Sequence, residues 1–124
     1  MILVLEPDAV VRDVLVAALR EQPDLAAHGV ATADAALAAL RGARVPVVLF
    51  DVPRAPADAA ELARSLRAAT SPWRGGLVGM TATEWTDAAE AVRALGVTVL
   101  DRPFADGEPH ATIRRLLRRI GDRV

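Results

Sequence analysis

Val45–Asp51, with the sequence VPVVLFD, decides the fold of this chain. It is an almost uninterrupted apolar run that ends on an acid, a pattern typical of a strand buried on both faces of a parallel sheet. Met1–Leu5 (MILVL) is a second run of this kind, and Leu77–Met80 and Val97–Leu100 are two more. Leu25–Ala31 is a weaker candidate strand. The sequence therefore predicts five strands.

Amphipathic segments alternate with these apolar runs. Asp8 is placed to cap a first helix, which Pro23 ends. Ala33–Leu40 is an alanine-rich helix that stops at Gly42. A third helix is predicted from about Asp58 to Ala69, after a loop that contains Pro53 and Pro56. A fourth is predicted over Thr86–Leu95. The last predicted helix has an apolar stripe formed by Ile113, Leu116, Leu117 and Ile120.

Five strand–helix repeats predict one α/β domain over residues 1–124, a doubly wound and mostly parallel sheet with helices on both faces. In such sheets the functional site lies outside the carboxyl ends of the strands, where the strand order switches. Glu6, Asp51 and Thr81 end three of the predicted strands, and Arg102 ends a fourth. We therefore expect these four polar side chains to converge at one edge of the sheet.

Composition excludes several classes of function. Of the 124 residues 52% are hydrophobic, which argues against disorder, yet no apolar run is long enough to cross a bilayer. The absence of cysteine excludes disulfides, thiol catalysis and thiolate metal sites. The net charge of −1 creates no general attraction for nucleic acid or anionic membranes. All 15 basic residues are arginine, so an arginine at any one position carries less functional weight than usual.

Short motifs close four of the predicted strands in a fixed order. They are ILVLEPD at 2–8, VVLFD at 47–51, GMTA at 79–82 and LDRPF at 100–104. The series resembles response-regulator receiver domains, whose corresponding strands end on paired acids, a phosphate-accepting aspartate, a hydroxyl residue and Lys-Pro-Phe. The match in order and spacing covers essentially the whole chain. The resemblance implies a five-stranded parallel sheet in the flavodoxin-like order 2-1-3-4-5, with five helices.

The resemblance also implies a role for each residue at the strand ends. Asp51 would accept a phosphoryl group from a sensor histidine kinase or a phosphotransfer protein. Glu6 and Asp51 would ligate Mg²⁺ through carboxylate oxygens. Asp8 is a further candidate ligand, although helix capping is its simpler interpretation. Thr81 and Arg102 would bind the phosphate, with Arg102 in the lysine position. The chain would be no enzyme beyond phosphorylation and dephosphorylation of its own Asp51.

Several positions depart from the family's pattern. Pro7 replaces the second acid, so we expect Mg²⁺ binding to be weak or absent. Arg102 replaces a compact ammonium with a planar guanidinium, which either binds phosphate bidentately or pairs with Glu6 or Asp51 and occupies the site. Ala55 stands where the family has proline, and Val99 where it has an aromatic switch residue. These departures favour an alternative hypothesis, a phosphorylation-independent pseudo-receiver that acts as an interaction or dimerisation module. A flavodoxin-like nucleotide or flavin protein is a weaker hypothesis, because no glycine-rich loop follows the first strand.

Surface residues suggest where partners would bind. Trp85 is expected near the mouth of the site, partly exposed, as a packing or contact residue. A homodimer through the helix 4–strand 5–helix 5 face is a candidate assembly, and the arginine-rich face of residues 114–119 is a solvated surface by default. No helix-turn-helix module follows, so direct nucleic-acid binding is not expected. We expect a cytoplasmic location and no membrane contact. We also expect a cis peptide between Arg102 and Pro103.

Overall fold

The apolar runs assemble into one parallel sheet. A computed structural model describes residues 1–23, 25–70, 76–82, 84–102, 111–115 and 118. The strands lie in the order β2-β1-β3-β4-β5, which confirms the predicted doubly wound sheet. The elements are β1 (Ile2–Leu5), α1 (Ala9–Arg20), β2 (Ala27–Val30), α2 (Ala33–Gly42), β3 (Val47–Asp51), α3 (Pro56–Thr70), β4 (Gly76–Ala82), α4 (Thr86–Arg93), β5 (Thr98–Arg102) and a fifth helical stretch at 111–115.

Two hydrophobic cores, one on each face of the sheet, explain why the central strands are apolar without alternation. Val48 and Phe50 pack in the core beneath α2, α3 and α4. Val47 and Leu49 pack in the opposite core, with α1 and with Ile113 of the fifth helical stretch. Because successive side chains of a strand point to opposite faces, every residue of a covered strand must be apolar until the strand leaves the core.

Helix caps follow the local sequence. The carboxylate of Asp8 accepts hydrogen bonds from the backbone N–H groups of Val10 and Val11, at 2.9 and 3.1 Å. The hydroxyl of Thr32 accepts one from Ala35 at 3.1 Å and begins α2. These contacts satisfy amide groups that the first turn of a helix leaves without intrahelical partners.

One boundary prediction is wrong because of proline. The sequence places Pro56 in a loop before a helix from about Asp58, but Pro56 is the first residue of α3. Proline suits the first helical position, because its ring fixes φ near the helical value and the missing N–H would have no partner there.

The ends of the last two strands and of α4 also differ from expectation. β4 and β5 continue beyond Met80 and Leu100, because Ala82 and Arg102 still pair in register. α4 ends at Arg93 and is followed by a turn in which Gly96 has a φ of 78°. Backbone pairing, and not the hydrophobicity of the side chains, therefore sets where these strands end.

Some expectations fall on residues that the structure does not describe. The Arg102–Pro103 peptide and the stripe residues Leu116, Leu117 and Ile120 lie outside the described ranges. Ile113 of that stripe is fully buried, as predicted. In the part of the chain that is described, no helix has both the length and the apolar character needed to span a membrane.

Candidate functional site

The site lies beyond the carboxyl ends of the two central strands, from which the chain leads away in opposite directions. Glu6 directly follows β1 and Asp51 ends β3, and these two strands are neighbours in the sheet. The chain leaves β1 toward β2 and leaves β3 toward β4, so a crevice opens beyond the ends of this central pair. Four side chains were predicted to converge there, and ion pairs join three of them, Glu6, Asp51 and Arg102.

Arg102 bridges the two carboxylates. Its Nη2 lies 3.1 Å from Oε2 of Glu6, and its Nη1 lies 3.6 Å from Oδ1 of Asp51. Nη2 is also 3.5 Å from the sulfur of Met80, on the strand between β3 and β5. Each end of the planar guanidinium thus serves a different carboxylate, an arrangement that a single ammonium group does not reproduce.

The three charged side chains differ in how much water reaches them. The side chain of Glu6 is only 5% exposed, whereas Asp51 is 23% and Arg102 29% exposed. A carboxylate as buried as Glu6 is stable only when a cation or several hydrogen bonds compensate for lost hydration. Arg102 supplies that compensation, which makes the Glu6–Arg102 pair an integral part of the fold.

The electrostatics of the site act most strongly on Asp51. The pKa of its carboxyl is raised from 3.8 to about 6, mainly by burial. The negative charge of Glu6 also raises this pKa, and the positive charge of Arg102 lowers it in part. Asp51 is therefore mostly ionised above pH 6, but it holds its negative charge at a cost in free energy.

Thr81 is almost fully buried near the end of β4, one residue beyond Met80, the register partner of Asp51. Its hydroxyl donates a hydrogen bond to the carbonyl oxygen of Ala82 at 3.2 Å. Its hydroxyl proton is thus already engaged by the backbone. The phosphate-binding role implied for Thr81 stays a prediction.

The described residues fit a resident Mg²⁺ poorly. Pro7 offers no side-chain oxygen, and Asp8 is exposed and caps α1. No cluster of three or more acidic, histidine or cysteine side chains able to hold a metal occurs within the described ranges. The carboxylates of Glu6 and Asp51 already share the guanidinium of Arg102. An arginine stands among the acids where Mg²⁺ would need oxygen ligands.

Arg12 of α1, a residue that no sequence motif singles out, supports the end of β1. Its Nη1 donates a hydrogen bond to the carbonyl oxygen of Glu6 at 2.9 Å. Gly29 on β2 makes this possible, because a Cβ atom there would lie 2.9 Å from Cγ of Arg12. The sequence signal for this contact is a glycine within a weak strand, which often marks close approach of another group.

Trp85 packs at the start of α4, and its predicted position at the mouth of the site stays a prediction. It directly precedes α4 and is partly buried against the core beneath α2, α3 and α4. It also lines a cavity of about 300 Å³ together with Arg54 from the loop before α3, Pro56 at the start of α3 and Asp87 in the first turn of α4. The prediction of a partly exposed packing residue is confirmed, and a contact role with a partner stays a prediction.

Comparison with solved structures shows the same fold in receiver domains. A response regulator receiver domain protein from Clostridium thermocellum superposes with a TM-score of 0.83 at 16% identity, covering 99% of this chain and 98% of that one. The signal receiver domain of an HD domain-containing protein from Pseudomonas fluorescens Pf-5 gives 0.80 at 20%, covering 98% and 96%. A structure named adenylate cyclase from Rhodopirellula baltica gives 0.79 at 20%, covering 96% and 87%. The chain has the receiver-domain fold.

Sequence comparison adds no relative. No family model matches the chain, and no curated protein matches it. The likeness is thus one of fold, and the function must be argued from the residues at the site.

Proposed function

We propose that this chain is a receiver domain of a response regulator in two-component signalling, with Asp51 as an impaired phosphoacceptor. The observation that carries the proposal is the meeting of Glu6, Asp51 and Arg102 at the switch point of a 2-1-3-4-5 sheet. Ligands of doubly wound sheets bind at this point. The receiver fold of the solved neighbours supports the same proposal.

The chemistry requires an ionised and accessible carboxylate. An oxygen of Asp51 attacks the phosphorus of a phosphohistidine or an acyl phosphate, a new O–P bond forms, and the bond from phosphorus to the donor breaks. With a pKa of about 6, Asp51 supplies the ionised form at neutral pH. Arg102 remains close enough to bind the oxygens of the product, which is the kind of contact guanidinium groups make with phosphate.

The impairment comes from the same arginine. In the unphosphorylated state the guanidinium of Arg102 lies 3.6 Å from Oδ1 of Asp51 and attracts the carboxylate that has to attack. The described residues do not fit a resident Mg²⁺, so no metal ion offsets the charge of an incoming phosphoryl group in this scheme. Phosphorylation would therefore be slow compared with a site that has two acids and a lysine.

A second candidate is a pseudo-receiver that signals only through protein contacts. The bridge of Arg102 between Glu6 and Asp51 favours it, because that bridge satisfies both carboxylates without phosphate. In this case the partner would recognise the folded surface, and a homodimer through α4, β5 and the last helix is the proposed assembly. Asp101 of β5 and Arg93 of α4 form an exposed ion pair at 3.9 Å on that face.

Intact-mass spectrometry after incubation with acetyl phosphate and Mg²⁺ tests the first candidate. Wild type should gain a minor phosphoryl adduct, Asp51→Asn none, and Pro7→Asp/Arg102→Lys a larger fraction, because the double substitution restores a second acid and a compact cation. No adduct in wild type or in the folded double variant would establish the pseudo-receiver instead. Complete modification of wild type would contradict the proposed impairment.

The proposed partners follow from the receiver function. A sensor histidine kinase or a phosphotransfer protein would deliver the phosphoryl group in the cytoplasm. We propose no enzymatic activity beyond the chemistry at Asp51, because that carboxylate is the group at the strand ends whose exposure and pKa suit a nucleophile. We likewise propose no nucleic-acid or membrane contact.

A further inference from the structure

We propose that Arg102 is a built-in counter-cation that replaces a divalent metal ion, so that Glu6 and Asp51 form a Mg²⁺ site only when the guanidinium is removed. The geometry of the ion pairs leads to this inference. The terminal nitrogens of Arg102 lie 3.1 Å from one carboxylate and 3.6 Å from the other. A cation that contacts both acids supplies the positive charge that a metal ion shared by them would otherwise supply.

Burial makes compensation of the negative charge necessary at this place. Glu6 is 5% exposed, and within the described part of the chain its carboxylate is held by Arg102. Two carboxylates at the end of adjacent strands repel each other, and water reaches them poorly. Without Arg102 this pair of charges would need another counter-ion, a proton on Asp51, or a partial opening of the strand ends.

The arginine is also held in place by contacts other than charge. Its Nη2 lies 3.5 Å from the sulfur of Met80, and its side chain is only 29% exposed. The packed stem and the two ion pairs leave Arg102 little freedom to swing out and admit a second cation. Adding Mg²⁺ beside the guanidinium would place two cations within a few ångströms of each other.

Thermal unfolding with and without Mg²⁺ tests this inference on the intact chain. In wild type, ~10 mM MgCl₂ should change the Tm by less than about 1 °C compared with NaCl of equal ionic strength. Arg102→Gln keeps a polar side chain but removes the charge, and its Tm should fall in metal-free buffer. Mg²⁺ at about ten times its dissociation constant should then raise that Tm by on the order of 5 °C.

Two controls locate the effect. Arg102→Gln/Asp51→Asn lacks one of the two carboxylates and should lose the response to Mg²⁺. Arg93→Gln removes an arginine from an exposed ion pair with Asp101 and should neither lower the Tm appreciably nor create a response to Mg²⁺. Direct titration of wild type with Mn²⁺, followed by electron paramagnetic resonance, should show no bound ion at millimolar concentration.

Three results would overturn the inference. The first is a rise in Tm on addition of Mg²⁺ that is equal in wild type and in Arg102→Gln. The second is an Arg102→Gln chain that folds but whose Tm does not change with Mg²⁺. The third is an Arg102→Gln chain that stays unfolded even with Mg²⁺. An Arg102→Gln chain that folds only when Mg²⁺ is added would support it. These measurements report stability and metal binding, so they are independent of whether Asp51 accepts a phosphoryl group.

Discussion

The guanidinium of Arg102 lies 3.6 Å from the carboxylate of Asp51, although the strands that carry them are separated by β4. The arginine side chain reaches across the end of β4, over Met80, to make this contact. Glu6 lies at its other terminal nitrogen, so one cation joins the ends of β1, β3 and β5. The charge state of Asp51 is therefore coupled both to this bridge and to the stability of the sheet.

The pH dependence of stability should reveal the raised pKa of Asp51. Its folded-state pKa of about 6 exceeds the ordinary value of 3.8, so the folded chain binds the proton more tightly than the unfolded chain. The resulting stabilisation is fully present below about pH 4 and is lost as the pH rises through about 6. Asp51→Asn should be more stable than wild type by about 1–3 kcal/mol at about pH 7.5, and by much less at about pH 4.

Urea unfolding of both chains at several pH values measures this difference. Comparison of the two chains at each pH cancels the contributions of other titrating groups. A difference in unfolding free energy that stays constant from about pH 4 to about pH 8 would show that the pKa of Asp51 is close to its ordinary value.

Two substitutions should move the pKa of Asp51 in opposite directions. Glu6→Gln removes the neighbouring negative charge and should lower this pKa below about 6. Arg102→Gln removes the positive charge that lowers it and should raise the pKa above that of wild type. Carbon-13 NMR titration of the Asp51 carboxyl measures both. Shifts of the same sign in the two variants would mean that changes in burial outweigh the charge interactions.

Gly79 should be intolerant of any side chain, because α4 and the end of β3 close over it. A Cβ atom at Gly79 would lie 2.8 Å from Cγ2 of Val52 and 3.4 Å from Cζ of Phe50. Gly79→Ala should therefore lower the free energy of unfolding by about 1–3 kcal/mol through overpacking.

Gly42→Ala is the matched control, because a Cβ atom meets nothing within 4 Å at the last position of α2. It should leave stability unchanged or raise it by up to about 1 kcal/mol. Chemical denaturation compares the two, and equal losses would contradict the packing argument.

The fold was largely predictable because the central strands are buried on both faces. β1 and β3 stand out in the sequence as apolar runs, and the polar residues that follow them mark where the cores end. β2 is weaker in sequence because it is an edge strand in which His28 is exposed and Gly29 lies beneath Arg12. The helical position of Pro56 was not predictable, because the same fixed φ suits a loop or the first residue of a helix.

The candidate site was predictable as a set of residues but not as a network. Strand ends bring Glu6, Asp51 and Arg102 to one edge, and that much follows from topology. The sequence left two possibilities for Arg102, phosphate binding or pairing with Glu6 or Asp51. Only the packing of its side chain over Met80, which a linear sequence does not display, decides for the pairing. The contact of Arg12 was missed for a similar reason, since it depends on a gap above β2 that a linear sequence does not display.

Gly29 should control the support that Arg12 gives to the end of β1. In Gly29→Ala the new methyl group would collide with the stem of Arg12, because Cγ and Cδ of that arginine lie 2.9 and 3.0 Å from the place that a Cβ atom would take. The arginine must then move, and its hydrogen bond to the carbonyl oxygen of Glu6 at 2.9 Å should be lost. We expect a loss of about 1–2 kcal/mol in unfolding free energy.

A double-mutant cycle separates this cause from a general intolerance of β2. Arg12→Ala alone loses the same hydrogen bond, so the combined variant Gly29→Ala/Arg12→Ala should cost clearly less than the sum of the two single changes. The shared cost arises because both substitutions release the carbonyl of Glu6, whose carboxylate holds Arg102. Urea denaturation of the four chains gives the coupling free energy. Strict additivity would show that Gly29 and Arg12 act independently, and that Gly29 is required only by the strand itself.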